Sequence, residues 1–419
     1  MKYKTYNCNS FNIYTIKTDR FRTSHLEVIF KNVLKKEEIG TYSFLADMLS
    51  EGCKKYPRKK DLITRFEELY KIVIYASTMR VGNVIDLHVS LDFINPEYIE
   101  DEGYIEDVIK TLFEVILNPN VCNDEFDLKT FNIVKERLRR EINSLKENPV
   151  KQSIKEAIKT MDSNSPTSYE ILGTIEELEN ITPAKLYNAY KILRKNFKVD
   201  VFLIGNLDMD NVASLIKKYF KNRYIVNDNF EVMVDNKETK KVKEKTMKSD
   251  NIQTNLVMLF NLKNLSELEK NITLNCFNYL YGSGGLTSKL YKSIREENSL
   301  CYAINSMYLK YDKLLMVQIS LDNCNVKKAI SLVKKELKSM QNGNFSEEEV
   351  KDAINNMVIS LDMSLDNNIA ILNNYVFNIY DKLPSIEERK EYFKKLTKED
   401  IVNVSKKVKL NTIFTLEGR

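Results

Sequence analysis

Ile85-Asp86-Leu87-His88-Val89-Ser90-Leu91-Asp92 alternates apolar and polar side chains, the two-residue period of a half-buried strand. Much later in the chain, Leu315-Met316-Val317-Gln318-Ile319-Ser320-Leu321-Asp322 alternates in the same way and closes on the same Ser-Leu-Asp.

The match continues outward from both strands. After the first comes an amphipathic helix with apolar residues at Val108, Ile109, Leu112, Phe113, Ile116 and Leu117. After the second come Ala329, Ile330, Leu332, Val333, Leu337 and Met340. Turn residues end each helix, Asn118-Pro119-Asn120 in one case and Asn342-Gly343-Asn344 in the other. A second, longer helix then begins, with Asn123-Asp124-Glu125 as the first cap and Ser346-Glu347-Glu348-Glu349 as a capping box for the second. These helices run through Val134, Leu138, Ile142 and Leu145, and through Val350, Ile354, Met357, Ile359 and Leu361. They end on related words, Ser144-Leu145-Lys146-Glu147-Asn148 and Ser364-Leu365-Asp366-Asn367-Asn368. Strand, helix, turn, helix and closing word recur in one order, which implies two homologous α+β halves.

Val199-Asp200-Val201-Phe202-Leu203-Ile204-Gly205 reads as a buried strand ending the first half, with Asn411-Thr412-Ile413-Phe414-Thr415-Leu416 as its counterpart. The stretch from Lys221 to Asp250 is charged and lacks helical periodicity, so it reads as a linker or a solvated edge strand. The boundaries that follow are 1–225, a linker at 226–250, and 251–419.

Basic and acidic residues number 64 and 59, and their signs are interspersed, which argues against a nucleic-acid face. The 6 cysteines form no C-x-x-C pair and read as free thiols of a reducing cytoplasm. The opening residues lack an apolar signal core, and no apolar run is long enough to span a membrane.

Two stretches carry a family resemblance. Tyr42-Ser43-Phe44-Leu45-Ala46-Asp47-Met48-Leu49-Ser50-Glu51-Gly52-Cys53-Lys54-Lys55-Tyr56-Pro57 resembles the active-site helix of the insulinase (pitrilysin) zinc peptidases. It continues through Phe66-Glu67-Glu68-Leu69-Tyr70 to Tyr75-Ala76-Ser77-Thr78. Tyr281-Gly282-Ser283-Gly284-Gly285-Leu286-Thr287-Ser288-Lys289-Leu290-Tyr291-Lys292-Ser293-Ile294-Arg295-Glu296-Glu297-Asn298-Ser299-Leu300-Cys301-Tyr302 resembles that family's second-half signature. The resemblance implies halves built as mainly antiparallel sheets packed with helices. It points to bacterial members that lack the zinc motif and are encoded beside an active member, among them proteins associated with 5-aminopentanol modification of elongation factor P.

Active members need H-x-x-E-H, two imidazoles at i and i+4 of one helix with a glutamate as general base, plus a further glutamate from a later helix. The matching positions are Ser43, Ala46 and Asp47, with Glu141 as the later glutamate. One carboxylate is no zinc site. The chain's 2 histidines, His25 and His88, stand far apart in strand-like segments and read as core or edge histidines. No metal is therefore expected in this chain, and it has no catalytic residue of its own.

In the family, an arginine and a tyrosine of the second signature bind substrate backbone near the zinc, and the tyrosine assists the developing oxyanion. The resemblance carries these roles to Arg295 and Tyr302. From the residues alone, the favoured reading is a surface arginine paired with Glu296 or Glu297 and a core tyrosine. The glycine stretch lacks the G-K-[ST] of a phosphate loop. It reads as a tight turn, and the resemblance gives Gly284 and Gly285 a substrate-contact role.

The expectation is a non-catalytic, substrate-binding subunit of a heterodimeric zinc metallopeptidase. Its partner would be an H-x-x-E-H-bearing homologue holding the zinc, its substrate a peptide, and its compartment the cytoplasm. The alternative is a purely structural or peptide-binding protein on a peptidase fold.

Overall fold

The computed structural model describes residues 3–221, 224, 226, 230–381 and 383–419. The strands are β1 (Lys4–Cys8), β2 (Phe11–Lys17), β3 (Thr23–Val33), β4 (Val73–Val81), β5 (Val84–Ile94), β6 (Val121–Cys122), β7 (Glu125–Phe126), β8 (Lys198–Gly205), β9 (Lys243–Lys248), β10 (Thr254–Leu262), β11 (Cys301–Leu309), β12 (Leu314–Leu321) and β13 (Val408–Glu417). The helices α1 (Ile39–Leu49), α2 (Lys59–Glu68), α3 (Tyr104–Leu117), α4 (Leu128–Glu147), α5 (Pro149–Asp162), α6 (Ile175–Asn180), α7 (Pro183–Asn196) and α8 (Met209–Tyr219) precede β9. After β10 come α9 (Leu274–Asn278), α10 (Val326–Gln341), α11 (Glu347–Ser364), α12 (Asn368–Asp381), α13 (Ile386–Lys394) and α14 (Lys398–Ser405).

The two quoted strands are β5 and β12, each one place in from a sheet edge. One sheet has the order β1-β2-β8-β3-β5-β4, the other β11-β12-β10-β13-β9. Read from β2 and from β9, the pairings agree step for step. The first is parallel, β2 with β8 and β9 with β13, and the next three are antiparallel. The fold is α+β with the internal repeat expressed as one sheet topology used twice. The charged segment before residue 250 supplies β9, an edge strand rich in lysine, a composition that discourages pairing with another chain.

The chain folds into two compact units that do not coincide with its two halves. The first takes Met1–Asn143, Tyr169–Val232 and Asp366–Tyr380; the second takes Ser144–Ser168, Met233–Leu365 and Asp381–Arg419. Each half thus lends a helical segment to the other unit: α5 belongs to the second, and nearly all of α12 to the first. Sequence periodicity reports which face of a helix is apolar and carries no address for the sheet it covers.

In each unit one sheet face packs under helices. In the first, Val28, Phe30, Leu87, Val89 and Leu203 join Phe44, Leu112, Leu186 and Ile216 in one core. In the second, Met258, Phe260, Val317 and Ile319 join Phe277, Val333 and Ile401. The opposite faces differ. In the second unit, Val257, Leu259, Met316, Phe414 and Leu416 form an apolar seat for Ala157 and Met161 of α5. In the first, the corresponding face is charged and still buried. It carries His25, Glu27, Lys31, Asp86, His88, Ser90 and Asp200. Lys31 pairs with Asp200, and the hydroxyl of Tyr380 in α12 donates to Asp86 at 2.6 Å. The half-buried reading of β5 is corrected accordingly, because Asp86, His88 and Ser90 are buried and bonded to Tyr380 and Glu27.

Two caps are instructive. Ser346 and Glu349 form the expected reciprocal box at α11. At α4 the cap is Asp127, whose carboxylate accepts from the Thr130 amide at 2.9 Å. Asn123 and Asp124, both at positive φ, instead turn the β6–β7 hairpin.

Candidate functional site

Helix α1 is almost entirely apolar, so the first unit's core fixes it firmly: Tyr42, Phe44, Leu45, Ala46, Met48 and Leu49 are all buried. Ser43 is buried as well. Its hydroxyl lies 2.6 Å from the Thr78 hydroxyl of β4 and donates to the Ile171 carbonyl. Ala46 offers no donor atom. Asp47 reaches a half-buried setting where Arg137 of α4 meets it, Nη2 to Oδ2 at 3.1 Å. The same guanidinium sends Nη1 to Glu51, just past the C-terminal end of α1, at 2.7 Å. Burial raises the Asp47 carboxyl above its usual range, and Arg137 offsets only part of that shift.

This arrangement does not fit a zinc ion. Of the three motif positions, one side chain is committed to neutral hydrogen bonds, one has no ligating atom and one is paired with a guanidinium. Glu141 lies on an exposed part of α4, and Arg137 is the residue of that helix bonded to Asp47 and Glu51. Among the described residues, no three His, Cys, Asp or Glu side chains gather in a metal-holding group. Arg137 and Glu51 were not singled out by sequence reasoning. The signal was available: Asp47 and Glu51 are acids four residues apart where the expected helix ends, and such a pair calls for a cation.

The histidines lie on the charged sheet face. His25 Nδ1 is 2.7 Å from Asp92, and His88 Nδ1 is 2.8 Å from Glu27. His88 Nε2 faces Asp86 at 3.8 Å. Burial pushes the His88 imidazole toward the neutral form, but Asp86 and Glu27 outweigh it and raise its pKa to about 9. Burial likewise pushes Glu27 up, and His88 holds it below the ordinary carboxylate range.

In the second unit, Arg295 and Tyr302 are brought together. Arg295 sits in a turn of π-helix, Tyr291–Glu296, over the ring of Tyr291. Its Nη1 donates to the Tyr302 main-chain carbonyl at 2.6 Å. That contact is neither the surface ion pair with Glu296 or Glu297 nor a salt bridge of any other kind. Tyr302 is 53% exposed, so it is no core residue. It lies on β11, an edge strand, where the pairing with β12 slips between Cys301 and Ala303. A bulge of this kind re-aims the side chain. The phenol donates to Asp322 at 3.0 Å, and this hydrogen bond raises the Tyr302 pKa. Gly284 and Gly285 lead into the exposed Leu286, and Gly285 takes φ +60°. Thr287 and Ser288 hydroxyls donate back to the Gly284 and Gly285 carbonyls at 3.0 and 2.8 Å, which fixes the turn.

The chain combines one sheet topology used twice with an apolar α1 whose Ser43, Ala46 and Asp47 are hydrogen-bonded, without a ligating atom and ion-paired, respectively. Residues 180–357 match the family described as "Peptidase M16 inactive domain". A Bacillus subtilis (strain 168) protein, "Probable inactive metalloprotease YmfF", is 26% identical over 412 residues, covering 96% of this chain and 95% of that protein. A conserved protein from Enterococcus faecalis V583 has the same fold, with a TM-score of 0.94 at 23% identity over 100% of this chain and 99% of its own. A peptidase M16 inactive domain from Pseudomonas fluorescens gives a TM-score of 0.82 at 16% identity, covering 100% and 99%. The chain is thus similar to inactive homologues of the M16, or insulinase-type, peptidases and shares their fold. Among the described residues, no helix is long and apolar enough to cross a membrane.

Proposed function

We propose that this chain is the substrate-holding, non-catalytic subunit of a heterodimeric zinc metallopeptidase that cleaves peptides, with zinc and general base supplied by an H-x-x-E-H-bearing homologue. The observation that carries the reading is an asymmetry. The first-repeat site is closed by Arg137, Asp47 and Glu51, while the second-repeat pair Arg295 and Tyr302 stays at the surface. A guanidinium and a phenol suit a peptide backbone. Strand β11 supports the same reading, since its nine residues carry no charge and it pairs on one side only. An unguarded edge of this kind accepts an extended chain by strand addition. The free cysteines suit a reducing cytoplasm.

The test is co-expression with an H-x-x-E-H-bearing homologue from the same genome. The pair should co-purify, and peptide cleavage should need both chains. Arg295→Ala with Tyr302→Phe should lower kcat/KM by roughly 10- to 100-fold, the worth of one charged and one neutral hydrogen bond, with assembly unchanged. Co-purification with undiminished activity in the double variant would leave a purely structural subunit instead.

A further inference from the structure

We infer that Asp322 is a positioning residue that commits the Tyr302 hydroxyl proton, so that Tyr302 meets a peptide as a hydrogen-bond acceptor while Arg295 meets it as a donor. The inference rests on the substrate-holding reading and assigns the polarity of that site.

A phenol has one hydrogen, and an ionised carboxylate can only accept. At 3.0 Å from Asp322 Oδ1, the Tyr302 hydroxyl therefore gives its proton to an intramolecular hydrogen bond at the surface. What it offers outward is a lone pair. Asp322 follows β12 directly and precedes the turn Asn323–Asn325 that leads into α10, so its place is set by two regular elements. Tyr302 is held at its other end too, because Arg295 grips its main-chain carbonyl at the bulge. Arg295 uses one of a guanidinium's five N–H groups in doing so. The exposed product is one acceptor and a set of donors on neighbouring side chains.

An extended peptide presents N–H and C=O groups in alternation. The Tyr302 oxygen fits the former and the Arg295 guanidinium the latter. An oxyanion hole needs the opposite arrangement, with donors alone aimed at the developing charge. A phenol whose proton is taken, with a carboxylate behind it, repels an oxyanion. The triad Arg295, Tyr302 and Asp322 is thus built to bind backbone and is unsuited to stabilising a tetrahedral intermediate. Other titratable groups beside it are Tyr291, whose ring lies under Arg295, and the free thiols Cys301 and Cys324.

The first arm of the test needs no substrate. Tyrosine labelled with ¹³C at the ring carbon bearing oxygen is followed by NMR from pH 7 to 11.5 in the full-length chain, and Tyr302→Phe assigns the signal. The Tyr302 midpoint should fall in Asp322→Asn and recover in Asp322→Glu. An unchanged midpoint in Asp322→Asn overturns the inference. The second arm measures binding of fluorescein-labelled ten-residue Thr/Val peptides to the full chain with its homologue. Each backbone N–H is methylated in turn. One position should lose about fivefold in affinity, and that loss should vanish in Tyr302→Phe. Peptides that bind with no such Tyr302-dependent position overturn the acceptor role and leave the proposed function standing. Failure of every unmethylated peptide to bind overturns the proposed function and this inference together.

Discussion

Arg137 Nη2 lies 3.1 Å from Asp47 Oδ2, so a cation from α4 stands against the α1 residue that the resemblance aligns with the second histidine of H-x-x-E-H. The second arm of the guanidinium holds Glu51 at 2.7 Å, and Glu51 is mostly buried. Positive charge is supplied here by a side chain rather than a metal. Arg137→Ala leaves two carboxylates close together with only the longer Lys59–Glu51 contact, 3.8 Å, as counter-charge. The full penalty for breaking a buried pair is reduced because the Arg137 side chain is 43% exposed. A loss of about 1–2 kcal/mol in urea unfolding is expected. Asp47→Asn in the Arg137→Ala background should recover part of it, by relieving the repulsion. A loss within error of zero would mean that solvent screens the cluster.

The same geometry makes a prediction about metal. The Ser43 hydroxyl is engaged by Thr78 and the Ile171 carbonyl, and Asp47 is paired with Arg137. Exhaustive dialysis of the isolated chain against a chelator should therefore leave its Tm unchanged, and elemental analysis should find no stoichiometric zinc. A Tm that drops with chelator and returns with added zinc would refute this account of the site.

Stability should depend on pH through His88. Its folded pKa is about 9, against an ordinary value of 6.5, because Asp86 and Glu27 overcome the effect of burial. A group with a raised folded pKa stabilises the native state fully below the unfolded value, and that contribution disappears as pH rises through the folded value. The window is thus pH 6.5 to 9. Across it, the native state binds more protons than the unfolded chain, so stability falls. The contribution at stake is roughly 3 kcal/mol. Urea unfolding at pH 6, 7.5 and 9.5, compared with His88→Gln, isolates this slope. Parallel pH profiles for the two proteins would exclude the imidazolium as its source.

The sequence made the repeat legible because strand period, helix period and turn residues are local. The strands placed at residues 199–205 and 411–416 lie within β8 and β13, which hold equivalent places in the two sheets. The helix carrying Ser43, Ala46 and Asp47 was legible for the same reason. Three things were not. The polar face of β5 alternates as a solvated face does, and only Tyr380, Glu27 and Lys31, distant in the chain, reveal it as buried. The destinations of α5 and α12 depend on tertiary structure alone. The partners of Arg137 and Arg295 are set by which way a helix faces and by a one-residue slip in a strand, neither of which leaves a periodic signal.

The glycines of the second signature separate two kinds of constraint. Gly285 has φ +60°, and a Cβ there would meet nothing within 4 Å. Alanine at that position should cost only the strain of a left-handed residue, about 1 kcal/mol. Gly284 has φ −77°, which alanine adopts freely, but its Cβ would lie 2.6 Å from the Tyr279 carbonyl oxygen. That oxygen belongs to the main chain and accepts the Gly284 amide at 3.0 Å, so relief requires the loop to move. Gly284→Ala should therefore cost more, about 1–3 kcal/mol of overpacking strain. It should also displace Leu286 and Thr287, which hydrogen exchange over residues 282–290 would register. The discriminating result is the order of the two variants. A Gly285→Ala protein less stable than Gly284→Ala would mean that this turn is limited by backbone conformation, with the approach of Tyr279 of no consequence.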